Sequence, residues 1–140
     1  MHDIAYIALG SNLGNRESHL EHGRAGLEAL PGTRVVRASS VEETTPVGSV
    51  PQGPYLNQMV AIETTLSPRE LLDALHAIER SAGRVRGVRW GPRTLDLDIV
   101  MFESQTVNEP DLQVPHPELP NRDFWRRELA DLRELGGYNE

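Results

Sequence analysis

The sequence predicts an α+β fold: one antiparallel sheet on two helices, with a β-hairpin and a C-terminal helix added. Three observations carry that expectation. Segments at 4–9, 33–41, 55–65 and 94–102 have the composition or alternation of strands, and helical patterns fall between the first and second and between the third and fourth. Ser67-Pro68-Arg69-Glu70 is a capping box with proline at the first helical position. The length, 140 residues, suits a single domain over 1–140 that can bury a core without staples.

Ile4 to Leu9 is a short apolar run ending at glycine, which favours a buried strand over a helix. Gly10-Ser11-Asn12-Leu13-Gly14-Asn15 makes a turn, and Asn15 can cap a helix to about Leu30 that buries Leu20, Leu27 and Leu30. Gly23 and Gly26 should weaken that helix by about 1 kcal/mol each. Thr33 to Val41 reads as a strand, and Glu42 to Pro54, with three prolines and two glycines, as a long functional loop. Tyr55 to Thr65 is a strand that puts Tyr55, Asn57 and Met59 on one face and Leu56, Val60 and Ile62 on the other.

The helix opened by Ser67 buries Leu71, Leu75, Ile78 and Ala82, and its adjacent stripe carries Leu72, His76 and Glu79. From Thr94 the side chains alternate again: Leu95, Leu97 and Ile99 toward a core, Thr94, Asp96 and Asp98 toward the opposite, chemical face. Gln105 to Val114 is a hairpin arm, His116 lies between two prolines, and a last helix follows. The order βαββαβ, then hairpin and helix, reads as a ferredoxin-like sandwich.

Net charge is −7, which argues against a general nucleic-acid or anionic-membrane binder. There is no cysteine, hence neither a disulfide nor a thiolate metal site. No leader-like start and no long apolar run are present, so a soluble, cytoplasmic and monomeric protein is expected. All fourteen basic residues are arginine, which excludes a phosphate loop ending in lysine. Arg84, Arg86, Arg89 and Arg93 fall within ten residues, so this acidic chain is expected to bind a small polyanion there. Asp96 and Asp98, two residues apart on a strand, are separated by roughly 6.5 Å and can reach one or two hard cations. Magnesium suits them, because it takes one or two carboxylates and fills its octahedron with water and phosphate.

The run from Trp90 to Ile99, Trp-Gly-Pro-Arg-Thr-Leu-Asp-Leu-Asp-Ile, resembles the signature of the 6-hydroxymethyl-7,8-dihydropterin pyrophosphokinase family. Similarity continues in Ile7 to Gly14, in Thr45-Pro46 with Tyr55-Leu56-Asn57, in Glu79 with Gly83-Arg84, and in Val114-Pro115-His116 with Asn121-Arg122 and Phe124. The resemblance implies the ferredoxin-like fold and pyrophosphate transfer from ATP to the pterin, releasing AMP, in folate biosynthesis. It implies two Mg2+ ions on Asp96 and Asp98, with Arg84, Arg93 and His116 as catalytic phosphate contacts. Leu72, His76, Glu79, Arg86, Trp90, Ile99, His116 and Arg122 then match the nucleotide pocket, and Asn12, Thr45, Pro46, Val47, Tyr55, Asn57 and Phe124 the pterin pocket.

The chain also departs from that family. Gly87-Val88 lies where a further basic residue is common, Asp111 stands in place of a basic contact, Pro117 replaces a common tyrosine, and Phe124 to Leu129 is unusually polar. These departures leave a second reading open, a non-catalytic pterin- or nucleotide-binding domain. An RNA-recognition module shares the element order but needs stacking motifs and positive charge, whereas this chain is acidic and 5% aromatic.

Overall fold

The computed structural model describes residues 2–45, 52–83 and 94–137, with side chains to residue 134. It is α+β, with a mostly antiparallel sheet and three helices. The central strand β1 (Asp3–Ser11) is flanked by β4 (Tyr55–Thr64) and β5 (Asp96–Phe102). Beyond β4 lies β2 (Thr33–Ala38), so the order is β2-β4-β1-β5 and β5 is an edge. β6 (Val107–Glu109) and β7 (Leu112–Val114) form the expected hairpin.

The segment from Glu42 to Pro54 is not wholly a loop, as the sequence had suggested. Glu42–Thr44 forms a strand, β3, with Glu42 opposite Asn57 and Thr44 opposite Tyr55. Three residues are too few to show periodicity, and the β4 edge supplies the ladder that propensity did not signal.

The helices α1 (Arg16–Glu28) and α2 (Pro68–Ser81) begin where their caps predict. Asn15 accepts from the Ser18 amide at 3.1 Å, and Ser67 and Glu70 form the reciprocal pair of the capping box. Leu20, Leu27, Leu71, Leu75 and Ile78 from these helices bury themselves on Ile7, Leu9, Val60, Ile62, Leu97 and Ile99. At Gly23 and Gly26 α1 packs closely on its neighbours. A Cβ on Gly23 would stand 2.9 Å from Leu9, and one on Gly26 3.0 Å from Ile78. The propensity cost at these positions is therefore the condition for tight packing.

The opposite face is not given over wholly to chemistry, which corrects the simple division read from alternation. The third helix, α3 (Asp123–Gly137), lies across part of it. Trp125, Leu129 and Leu132 there bury Tyr6, Ala8, Met59, Ala61 and Val100 in a second, smaller cluster. The polar residues that made this segment look divergent are mainly on its outer side, but Glu128 is buried. No helix among the described residues is long and apolar enough to cross a membrane.

Candidate active site

The sheet register decides which side chains can meet. Gly10 lies opposite Asp96 on one side and Asn57 on the other, while Ala8 lies opposite Asp98 and Met59. Cross-strand partners share a face, so Asp96, Gly10, Asn57 and Glu42 form one row across the sheet, and Asp98 begins the next. The expected common face for the carboxylates and for Tyr55 and Asn57 is thus present. Asp96 and Asn57 are two inter-strand steps apart, about 10 Å.

Beside the β5 edge is a cleft of about 490 Å³. Leu72, His76 and Glu79 wall it from α2, Asp96 to Ile99 form its floor, and the hairpin tip and His116 close the far side. The helical stripe and the strand positions expected to line a nucleotide pocket therefore come together. Glu79 is more than a lining residue. Its buried carboxylate accepts from the Leu97 amide at 2.8 Å, engaging the outward backbone donor that lies between Asp96 and Asp98 on this edge strand.

Two hydrogen bonds help to orient His116. Its amide donates to the Val100 carbonyl at 2.8 Å, and its Nδ1 accepts from the Glu118 amide at 3.0 Å. That assignment leaves the proton on Nε2, which stands 3.8 Å from an Asp98 carboxylate oxygen. Burial lowers the imidazole pKa below its ordinary value and the nearby Arg122 charge lowers it further, with Glu118 opposing, so the neutral ring is favoured. Behind it, the Trp125 ring meets His116 edge to face at 5.0 Å, and the Arg122 guanidinium lies 4.3 Å over the Trp125 ring.

At the other end of the row, the Asn57 amide donates to Thr44 Oγ1 at 2.5 Å. A Cβ on Gly10 would stand 3.4 Å from Asn57 Oδ1 and 3.5 Å from the Tyr55 ring, in ordinary contact with both, so the glycine leaves this part of the floor lower. Asn12 is buried and donates to Gln52 Oε1 and to the Gly53 carbonyl, tying the approach to β4. Thr45 is exposed, and Phe124 is half-buried with its ring 6.3 Å from that of Trp125. Pro46, Val47, Arg84, Arg86, Trp90 and Arg93 lie outside the described residues.

Sequence reasoning missed three features of this region. The hairpin tip, Pro110 to Gln113, lines the cleft. Arg69 on α2 clasps that tip, binding both oxygens of Asp111 at 2.8 and 2.9 Å and also Glu109. The Arg69 hydrogen bonds hold Asp111 below the usual carboxylate range. The third feature is Trp125, whose indole was legible only as a departure from an apolar pattern. Among the described residues no three His, Asp or Glu side chains gather to enclose a metal. A half-exposed pair such as Asp96 and Asp98 instead suits a cation that keeps its waters and takes other ligands from a phosphate.

Known proteins resemble this chain over most of its length. Residues 6–134 match the model of the family described as 7,8-dihydro-6-hydroxymethylpterin-pyrophosphokinase. The chain is 46% identical over 132 residues to the 2-amino-4-hydroxy-6-hydroxymethyldihydropteridine pyrophosphokinase of Bacillus subtilis, covering 94% of this chain and 79% of that protein. The proteins of the same name from Pseudomonas aeruginosa and Haemophilus influenzae are 46% and 43% identical over 127 and 120 residues. Those matches cover 91% and 86% of this chain and 78% and 75% of the relatives.

Proposed function

The chain belongs to the 7,8-dihydro-6-hydroxymethylpterin-pyrophosphokinase family, and from that premise we propose how its own residues perform the reaction. It transfers pyrophosphate from ATP to 6-hydroxymethyl-7,8-dihydropterin and releases AMP, in folate biosynthesis. The observation that carries the assignment of parts is the register, which puts Asn57 and Asp96 in one row with Asp98 and the cleft beyond it.

ATP enters the cleft between α2 and the hairpin, its base side against Leu72, His76 and Ile99 and its phosphates toward Asp96 and Asp98. The pterin lies at the Asn57 end, between Tyr55 and Phe124, with Asn12, Thr45, Pro46 and Val47 completing its pocket. Two Mg2+ ions, held by Asp96 and Asp98, would supply charge neutralisation of the triphosphate and lower the pKa of the hydroxymethyl group. The hydroxymethyl oxygen attacks the β-phosphorus, and the oxygen bridging to the α-phosphorus leaves with AMP.

His116 offers its Nε2 hydrogen to a phosphate oxygen, since the Glu118 amide occupies Nδ1 and burial favours the neutral ring. Arg84, Arg93 and Arg122 balance the transferred and leaving charge, and Arg86 and Trp90 close the nucleotide side. Glu79 acts through the Leu97 amide rather than on substrate. A dedicated general base is not required, because this chemistry depends chiefly on alignment and electrostatics. The sheet order β2-β4-β1-β5 supports reading the fold as ferredoxin-like, with residues 1–140 as one domain. The same reading takes the protein as a cytoplasmic monomer that binds neither nucleic acid nor membrane.

AMP release from Mg-ATP, with and without 6-hydroxymethyl-7,8-dihydropterin, tests the assignment. Pterin-dependent AMP that disappears in Asp96→Ala and Asp98→Ala is the expected result. Binding of both substrates without AMP would replace it with the non-catalytic reading that the departures at Gly87 and Asp111 raise.

A further inference from the structure

Trp125 is not among the positions to which the family resemblance assigned a role, and it is buried behind His116, 2% exposed. Its neighbours are what single it out. One part of the indole meets the His116 ring at 5.0 Å, nearly perpendicular at 87°, and the Arg122 guanidinium lies 4.3 Å over its ring. His116 in turn faces Asp98 at 3.8 Å. Asp98, His116, Trp125 and Arg122 thus form a continuous chain of contacts from the carboxylate edge into the α3 core.

We propose that Trp125 is a positioning residue for ATP binding, its indole orienting His116 and Arg122 together toward the triphosphate. This rests on the reading of those two residues as phosphate contacts. The physical reason is that the backbone fixes only one end of each side chain. The Glu118 amide holds the His116 ring at Nδ1, and the remaining tilt about its Cβ–Cγ bond is limited by the indole it meets at 5.0 Å. Arg122 has a long side chain with several rotamers, and a large aromatic face holds its guanidinium in one of them through cation–π attraction. A leucine would fill part of the core but give neither an edge-to-face partner nor an electron-rich π face.

The base of α3 supports the arrangement. Trp125 N donates to the Arg122 carbonyl at 3.0 Å, and Arg126 donates to the Pro120 carbonyl at 2.6 Å, so the turn that carries Arg122 is tied to the first turn of the helix. Met59, Val100 and Leu129 belong to the same buried cluster as the indole. Trp125 therefore transmits the rigidity of the α3 core to two side chains at its margin.

The test compares Trp125→Phe with Trp125→Leu. Both lose packing volume, so both should lower the melting temperature, but only phenylalanine keeps a π face. Affinity for the Mg complex of α,β-methylene-ATP, measured calorimetrically, should fall about tenfold in the leucine variant and no more than about threefold in the phenylalanine variant. In the unmutated protein, nuclear Overhauser contacts should join the His116 ring to the Trp125 indole and persist when the nucleotide analogue binds. Equal losses of affinity that follow the melting temperatures would overturn the proposal, as would absence of those contacts in the unmutated protein. If the unmutated protein binds the analogue but releases no pterin-dependent AMP, the pyrophosphokinase reading fails, and the affinity comparison still decides the role of Trp125.

Discussion

Under α1 and α2 the sheet buries aliphatic side chains from Ile7 to Ile99 in one broad cluster, whereas under α3 a smaller cluster around Met59 and Trp125 soon gives way to Asn57, Asp96 and Asp98. The first face can be specified by periodicity alone. The second must balance a core against a substrate surface within the same strands. β5 shows both demands in seven residues: Leu97 and Ile99 point into the aliphatic core, Asp96 and Asp98 to the other side, and Val100 beneath α3. Stability and function are thereby separated by sheet face and by distance along each strand, and substitutions on the two faces should fail in different ways.

The largest effect should come from Asp96→Ala and Asp98→Ala, which should each reduce kcat/KM for pterin-dependent AMP release by at least about a hundredfold. Because both carboxylates are half-exposed and unneeded by the cores, thermal stability should be unchanged or slightly raised. Loss of folding in either variant would break the division between the faces. The converse experiment is Leu75→Ala, at a fully buried position beneath α2. It should cost about 2–5 kcal/mol in chemical denaturation, while the fraction that remains folded retains its affinity for ATP.

The same division explains what could be read from the sequence. The aliphatic face was legible because Leu20, Leu27, Leu71, Leu75 and Ile78 repeat with helical spacing and the caps at Asn15 and Ser67 are strong local signals. The carboxylate pair was legible because alternation fixes the shared direction of Asp96 and Asp98. β3 was missed because its hydrogen bonds come from β4 rather than from any preference in Glu42–Thr44. Trp125 and Glu128 were missed for a related reason. Spacing can mark them as one helix face, but it cannot say that the first meets His116 or that the second turns a carboxyl into the protein.

Glu128 gives the next prediction. Tyr6, also buried on this face, donates its hydroxyl to Glu103 at 2.6 Å, and burial with that partner pushes its pKa to about 12. Glu128 is less well accommodated. It is 3% exposed, neither carboxyl oxygen meets strict hydrogen-bond geometry among the described residues, and its nearest polar neighbour is another carboxyl, Glu42, to which only the protonated acid could donate. Burial raises its pKa to about 9, helped by the neighbouring Glu42 carboxylate and by Asp131, with Arg127 opposing. The folded protein therefore holds a proton that the unfolded chain loses above the ordinary carboxylate value of 4.5. This contribution is fully present below that value, diminishes as pH rises, and is lost once pH passes about 9. Glu128→Gln, which cannot ionise, should be more stable at pH 8 by about 1–3 kcal/mol. Parallel slopes of melting temperature against pH in the two proteins, between pH 5 and about 9, would show that Glu128 is ionised or hydrated.

The smallest effect should come from Ser67→Ala, and it asks whether the cleft wall depends on helix stability or on packing. Ser67 Oγ accepts from the Glu70 amide at 3.1 Å, so alanine removes half of the capping box and should cost about 1 kcal/mol. The same helix carries Leu72, His76 and Glu79 into the cleft, but its position is fixed more than one turn farther on by Leu71, Leu75 and Ile78 and by the bond from the Leu97 amide to Glu79. Fraying should therefore stop before it reaches His76. The variant should melt earlier and keep its KM for ATP within about twofold, because a difference that small corresponds to less than about 0.5 kcal/mol. A larger rise in KM with the modest stability loss would mean that the first turn of α2, and with it the Arg69 clasp on Glu109 and Asp111, holds the hairpin side of the nucleotide cleft in place.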